Sequence, residues 1–245
     1  MKKALLVFAL VMLSGIGAWA DTFEVNGVYY DITSESTVCV GNNSYYKGNP
    51  DLVIPATVTY NNKEYTVTGF YPEGSFTSNN ILRSVTIPST IEIIGNSAFA
   101  NCTNLKSVKL PNTITQIGNA AFVNCSALTS FTIPASVTEI VRDALSGCTG
   151  LEYVICEGET PPAIGIDAFY DCNAYILVPG PSLSSYKSTW KTYVDKISPI
   201  EVINIARKIA LGTLNDEQTG PTIEVTGQDD KVIKLYNPKN VKFTK

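Results

Sequence analysis

The sequence predicts a repeat solenoid of the leucine-rich kind, β-rich with short irregular or helical return segments. Three observations lead there. The phrase Leu82-Arg83-Ser84-Val85-Thr86-Ile87-Pro88 returns after 23 residues as Leu105-Lys106-Ser107-Val108-Lys109-Leu110-Pro111, and after 23 more as Leu128-Thr129-Ser130-Phe131-Thr132-Ile133-Pro134. Between these lies a second phrase, Ile94-Gly95-Asn96-Ser97-Ala98-Phe99 with Cys102, which recurs as Ile117-Gly118-Asn119-Ala120-Ala121-Phe122 with Cys125. A short fixed period with Leu-x-x-Val-x-Ile spacing marks stacked coils, each too small to bury its own apolar face.

Each element follows from its residues. Strand side chains alternate between faces, so Leu82, Val85 and Ile87 point inward while Arg83, Ser84 and Thr86 face solvent. Proline donates no backbone hydrogen bond and fixes φ, so Pro88, Pro111 and Pro134 end the strands. The return path then buries Ile94 and Phe99, Ile117 and Phe122, and Ile140 and Leu145 in successive copies. A fourth copy, Leu151-Glu152-Tyr153-Val154-Ile155-Cys156, keeps the inward pattern but has Glu157 in place of proline. Its return phrase, Ile164 to Phe169 with Cys172, comes one residue late. An irregular earlier copy places Phe76, Asn79 and Leu82 a period before Phe99, Cys102 and Leu105. The count is four clear coils plus one or two capping ones, with a strand face five rungs wide.

The strand phrase ending in Ile-Pro and the return phrase Ala-Phe-x-x-Cys resemble the BspA-like leucine-rich repeats of bacterial surface proteins, over roughly residues 52–200. The resemblance implies a curved solenoid, and an association with adhesion and with binding at host or bacterial surfaces rather than with catalysis. It transfers no binding residues, because the positions that define the family are structural ones.

Lys2 and Lys3, the apolar run Ala4 to Met12 and the small residues of Ala18-Trp19-Ala20 read as a secretory signal peptide, residues 1–20, cleaved before Asp21. Ile16 stands where a lipoprotein would need cysteine. Loss of the two leader lysines changes the formal charge from −4 to −6. That acidic balance argues against nucleic acid and anionic membrane as partners, and no later segment is apolar enough to insert in a membrane.

Cys102, Cys125, Cys148 and Cys172 fall on one ladder position. They read as buried thiols acting as small apolar side chains. Rungs about 4.8 Å apart bring them close enough for disulfides in Cα distance, but side chains running side by side are poorly oriented for one. Cys156 occupies an inward strand position, and Cys39 lies outside the repeat. The chain has no histidine, which removes Ser-His-Asp and Cys-His catalysis and the commonest zinc ligands. No phosphate-binding glycine loop and no acid pair singled out by spacing is present. The expectation is therefore no catalytic residue, no metal and no cofactor. A glycan-active enzyme remains a third alternative, since it needs only two suitably placed carboxylates.

Seven of the thirteen tyrosines lie between Phe23 and Tyr71. Residues 21–75 read as a β-rich N-terminal cap with the first irregular coil, including a hairpin that turns at Asn61-Asn62-Lys63. The sharper alternative is an aromatic sugar platform of Tyr29, Tyr45 and Tyr46. Residues 76–200 form the solenoid, closed by Leu183, Tyr186 and Trp190 at helical spacing. In the remainder, 201–245, Ser198-Pro199-Ile200-Glu201 opens a helix running to about Leu211, with Val202, Ile205, Ala206 and Ile209 on one face. A β-hairpin of Ile223-Glu224-Val225 and Val232 to Tyr236 follows.

The function expected is that of an exported, non-enzymatic recognition protein meeting a protein or glycan at the cell surface. Its candidate contacts are the outward strand positions Arg83, Ser84, Thr86, Lys106, Lys109, Thr129, Thr132, Glu152 and Tyr153. The alternative is a periplasmic or envelope module whose solenoid positions the C-terminal tail.

Overall fold

Short strands that break at proline can pair only with their equivalents on neighbouring coils, and parallel pairing at the repeat period is what the computed structural model shows. It describes residues 21–200 and the backbone of two further strands. The expected signal peptide, residues 1–20, and most of the helix expected from Pro199 to Leu211 lie outside the described residues.

The N-terminal part holds β1 (Thr22–Val25), β2 (Val28–Ile32), β3 (Thr37–Val40), β4 (Asp51–Val53), β5 (Thr57–Tyr60) and β6 (Lys63–Phe70). All except β4 form one sheet in the order β1-β2-β3-β6-β5. Two hairpins turn through left-handed pairs, Asn26-Gly27 at φ 52° and 84° and Asn61-Asn62 at φ 50° and 62°. Such pairs match the strand twist, and asparagine and glycine tolerate them. Lys63 thus begins β6 rather than completing the turn. Phe23 stacks on Tyr60 at 4.3 Å, linking the first strand to the last.

From Ser84 the chain runs through β7 (Ser84–Thr86), β8 (Ile93–Ile94), β9 (Ser107–Lys109), β10 (Gln116–Ile117), β11 (Ser130–Ile133), β12 (Glu139–Ile140), β13 (Tyr153–Cys156), β14 (Ala163–Ile164) and β15 (Tyr175–Val178). After α1 (Leu183–Thr189) comes β16 (Ile197–Pro199). The strands β7, β9, β11 and β13 carry the Leu-x-x-Val-type phrases, and β8, β10, β12 and β14 form a parallel sheet on the return path. The return segments are therefore two-residue strands and turns, not helices. Two left-handed residues per coil make this sharp path possible: Gly74, Ser97, Ala120, Asp143 and Asp167 at one position, and Ser78, Asn101, Asn124, Gly147 and Asp171 at the other.

The strand face differs from the expected five rungs in one sheet. It consists of a three-stranded sheet, β4-β7-β9, and a four-stranded sheet, β11-β13-β15-β16. The rung β4 pairs Asp51 with Ser84, an offset longer than the regular period, because the β5–β6 hairpin is inserted in that coil. At the far end the offsets are shorter than the period, by one residue for Tyr153 with Tyr175 and by two for Ile176 with Ile197. Pro199 ends β16 and the helical backbone begins at Ile200, one residue later than the sequence reading placed it.

The interior is a row of equivalent side chains. Phe76, Phe99 and Phe122 stack with ring centroids 5.5 and 5.4 Å apart and planes within 5°. The next coil has Leu145 there, and Phe131, in a strand position where other coils carry valine, meets Phe122 edge-on at 5.0 Å. A large residue on the strand side thus fills what a smaller one on the return side leaves. Each ladder cysteine hands its S–H to a carbonyl of the preceding coil: Cys102 to Phe76 O at 3.0 Å, Cys125 to Phe99 O at 3.1 Å, Cys148 to Phe122 O at 3.1 Å and Cys172 to Leu145 O at 3.0 Å. Asn79 takes the same place in the first coil. Its amide donates to Tyr46 O at 3.0 Å, and its carbonyl oxygen accepts from the Ile81 and Leu82 N–H groups.

At the last coil, side chains replace a following coil. Tyr193 Oη accepts the Phe169 N–H at 3.2 Å, where earlier coils use a backbone carbonyl. Tyr186 donates to Gly158 O at 2.8 Å and the Trp190 indole to Pro162 O at 2.9 Å. Both rings are fully buried, so α1 and the turn after it fill the end of the interior row. Beyond β16, β17 (Ile223–Thr226) and β18 (Val232–Leu235) pair antiparallel, as the hairpin read from sequence requires.

Two expectations follow. All six cysteines are free and buried, and burial pushes the Cys102 and Cys156 thiols up to about 12. At pH 8 the folded protein should react with a polar thiol reagent on the order of a hundredfold slower than the urea-unfolded chain, which should titrate six thiols. Fast reaction of any thiol in the folded state would contradict the buried row. Ala120 sits at φ 51°, a region that costs a Cβ-bearing residue about 1 kcal/mol and that asparagine tolerates. Ala120→Asn should raise the unfolding free energy by about 0.5–1 kcal/mol in urea titration.

Candidate functional site

Outward residues of β4, β7, β9, β11, β13, β15 and β16 fall in two rows. One runs Asp51, Ser84 and Ser107 on the first sheet, then Ser130, Tyr153 and Tyr175 on the second. The other runs Val53, Thr86 and Lys109, then Thr132, Ile155, Leu177 and Ser198. Arg83, Lys106, Thr129 and Glu152 precede their strands and are exposed. Neighbouring coils hold them in file, since Lys106 N–H bonds Arg83 O at 2.8 Å and Glu152 N–H bonds Thr129 O at 2.9 Å.

The nine residues chosen from sequence therefore separate into two groups. Arg83, Ser84, Thr86, Lys106 and Lys109 belong to β7 and β9. Thr129, Thr132, Glu152 and Tyr153 belong to β11 and β13. No ladder joins β9 to β11, and at this seam the inward residues Val108 and Leu110 are only half-buried.

Asp51 is the residue sequence reading missed. Its carboxylate accepts from Arg83 Nη2 at 3.3 Å and from Ser84 Oγ at 2.9 Å. Two of the candidates are thus engaged within the chain. The partners face each other across an irregular coil longer than the others, so the repeat period gives no sign of them. Among the described residues Lys106 and Lys109 make no ion pair, which leaves the three-stranded sheet with a net positive outer face on an acidic chain. On the second sheet Tyr153 and Tyr175 stack at 6.4 Å, and Tyr175 is 57% exposed. Tyr175 too was absent from the sequence selection, because its strand lacks the Leu-x-x-Val phrase.

The tyrosine platform does not form. Tyr46 is 4% exposed, with its hydroxyl bonded to Asn49 O and its ring edge-on to Phe76, while Tyr45 stands 91% exposed.

Two hollows flank the faces. One of about 470 Å³ is lined by Thr68, Gly69, Phe70, Thr90, Glu92, Ile93 and Gly95. The other, of about 290 Å³, has Asp51 among a largely apolar lining. Each contains one carboxylate, short of the pair that glycoside hydrolysis uses. Among the described residues no group of three or more His, Cys, Asp or Glu side chains is placed to hold a metal ion.

The repeat itself is similar to known proteins. Residues 71–188 match the family model described as the BspA type leucine-rich repeat region, in six copies. A leucine-rich repeat protein from Bacteroides capillosus ATCC 29799 is 34% identical over 56% of this chain and 99% of its own, with a TM-score of 0.49. The leucine-rich repeat protein of T. pallidum is 26% identical over 65% of this chain and 71% of its own, with a TM-score of 0.54. No curated protein matches the chain.

The exposed Asp51–Arg83 pair, each side chain 56% exposed, is worth about 0–1 kcal/mol at most. Asp51→Asn should leave thermal stability nearly unchanged while adding positive charge to this face. A large loss of stability would show that the pair fastens β4 to β7 rather than dressing the surface.

Proposed function

For a chain that belongs, through residues 71–188, to the BspA type leucine-rich repeat family, we propose an exported, non-enzymatic recognition scaffold that binds a protein or glycan at a cell surface. The observation that carries this reading is the outer strand face: two rows of solvent-facing side chains held in register by parallel pairing within each of its two sheets, with Lys106 and Lys109 free of ion pairs among the described residues. Stacked coils forming a solenoid, closed by the N-terminal sheet at one end and by α1 with Tyr193 at the other, supply a rigid support for such a face. The signal-peptide pattern of residues 1–20 supports export.

Size sets the mode of binding. Seven rungs at about 4.8 Å give a face about 29 Å long, small beside stable protein interfaces, so binding is weak for one copy and gains from multivalency. The basic character of the first sheet favours acidic groups on the partner and gives the binding a salt dependence.

Protease shaving of intact source cells comes first, with release of peptides from residues 82–151 expected before any periplasmic control protein is cut. Protection until the envelope is opened would favour the periplasmic module instead. For any partner then found, Lys106→Glu with Lys109→Glu should weaken binding at least about tenfold at 150 mM salt. Unchanged binding by the folded variant would remove the first sheet from the site.

A further inference from the structure

The sheet after the seam carries an aromatic pair that the interior does not use. Tyr153 on β13 and Tyr175 on β15 are partners in the parallel register, and their rings stack at 6.4 Å with planes 28° apart. Neither belongs to the interior cluster, and Tyr175 is 57% exposed. The other ring pairs from Phe76 onward lie inside, among Phe99, Phe122 and Phe131 or around Trp190. Stacking on a neighbour holds each outer ring in place and leaves its second face free of aromatic contact.

The polar groups around this pair are unspent. On the return path hydroxyls serve the backbone: Thr113 Oγ1 donates to Ile91 O at 2.9 Å and Ser136 Oγ to Ile114 O at 2.7 Å. On the outer face the side chains of Thr129, Ser130, Thr132 and Glu152 make no hydrogen bond or ion pair with any described residue, and neither tyrosine hydroxyl does. Hydroxyls both donate and accept, and a carboxylate accepts. A sugar offers the complement: hydroxyls around its rim, and C–H bonds on its flat side that meet the negative face of an aromatic ring. The outward residues of this sheet include no lysine or arginine. Cationic groups stand at β9 instead, where Lys106 and Lys109 are separated from β13 by β11 alone, on the order of 10 Å.

We propose that Tyr153 and Tyr175 form a sugar-stacking subsite and that the face takes an acidic glycan. A pyranose ring lies on the tyrosines with its hydroxyls toward Ser130, Thr132 and Glu152, and the anionic groups of the glycan reach back across the seam to Lys106 and Lys109. This rests on the recognition reading and deepens it by choosing glycan over protein. An acidic polypeptide satisfies the lysines but leaves the ring faces and hydroxyls unused.

Affinity electrophoresis of the full chain through gels holding polygalacturonate, hyaluronan or chondroitin sulfate tests this, with neutral glucomannan and sugar-free polyglutamate as comparators. At 150 mM salt at least one acidic polysaccharide should bind at least tenfold more tightly than either comparator. Tyr175→Ala should weaken that binding at least tenfold and Tyr175→Phe should keep most of it, with the six native thiols still protected as the check on folding. Equal binding by the wild type and Tyr175→Ala, no binding to any of the three acidic polysaccharides, or glucomannan bound as tightly as they are, would overturn the proposal. Polyglutamate bound as tightly, through Lys106 and Lys109 and indifferent to Tyr175→Ala, would also overturn it while leaving a recognition scaffold for acidic protein in place. The cell-shaving result bears on the recognition reading alone, so the two failures are told apart.

Discussion

Every coil of this protein relies on the next for its backbone hydrogen bonds. A three-residue strand followed by proline has no partner within its own coil. The turn amides of Ser97, Phe99 and Asn101 reach carbonyls on the next coil, at Asn119, Ala121 and Val123, and the following coil repeats the arrangement. Buried backbone groups must be paired, so the repeat length is a geometric requirement: a coil of different length survives only where the extra or missing residues stay outside the two ladders. The β5–β6 hairpin is such an excursion. It lengthens one coil and leaves the pairing of β4 with β7 in register.

The same requirement explains what the interior tolerates. The phenylalanine row, the cysteine row and the left-handed turns recur because each coil presents the same space to its neighbour. Where the row is interrupted by Leu145, the compensation comes from Phe131 on the facing strand. That exchange coincides with the seam between β9 and β11, so the outer face changes character where the inner packing does: basic and polar before the seam, aromatic and aliphatic after it.

The coils were legible in the sequence because their spacing is strict over 82–156 and because Pro88, Pro111 and Pro134 punctuate it. The inward and outward assignment followed from alternation alone. Legibility failed where the period did. Leu52-Val53-Ile54-Pro55 repeats the strand phrase out of step with the period, so β4 and its Asp51 went unassigned to the face. Asn26-Gly27 divides what reads as one alternating run into β1 and β2. Ser198 and Pro199 have the chemistry of a helix start, and Ile200 is helical, but pairing with Leu177 and Val178 holds these two residues as strand and delays the start by one residue. For the candidate site, the sequence showed which side chains face out. It could not show that Arg83 and Ser84 are engaged by Asp51, or that the nine positions lie on two sheets.

The thiol row makes the order of events during folding matter. Four sulfhydryls spaced about one period apart give three neighbouring pairs that close loops of nearly equal size in an unfolded chain, so loop entropy selects no neighbouring pair over another. Their hydrogens reach the carbonyls of Phe76, Phe99, Phe122 and Leu145 only after neighbouring coils have closed on one another. In an oxidising compartment the chain therefore runs a race between stacking and mispairing through thiol–disulfide exchange. Contacts one period apart are local and form quickly, and each coil added withdraws another sulfur from that chemistry.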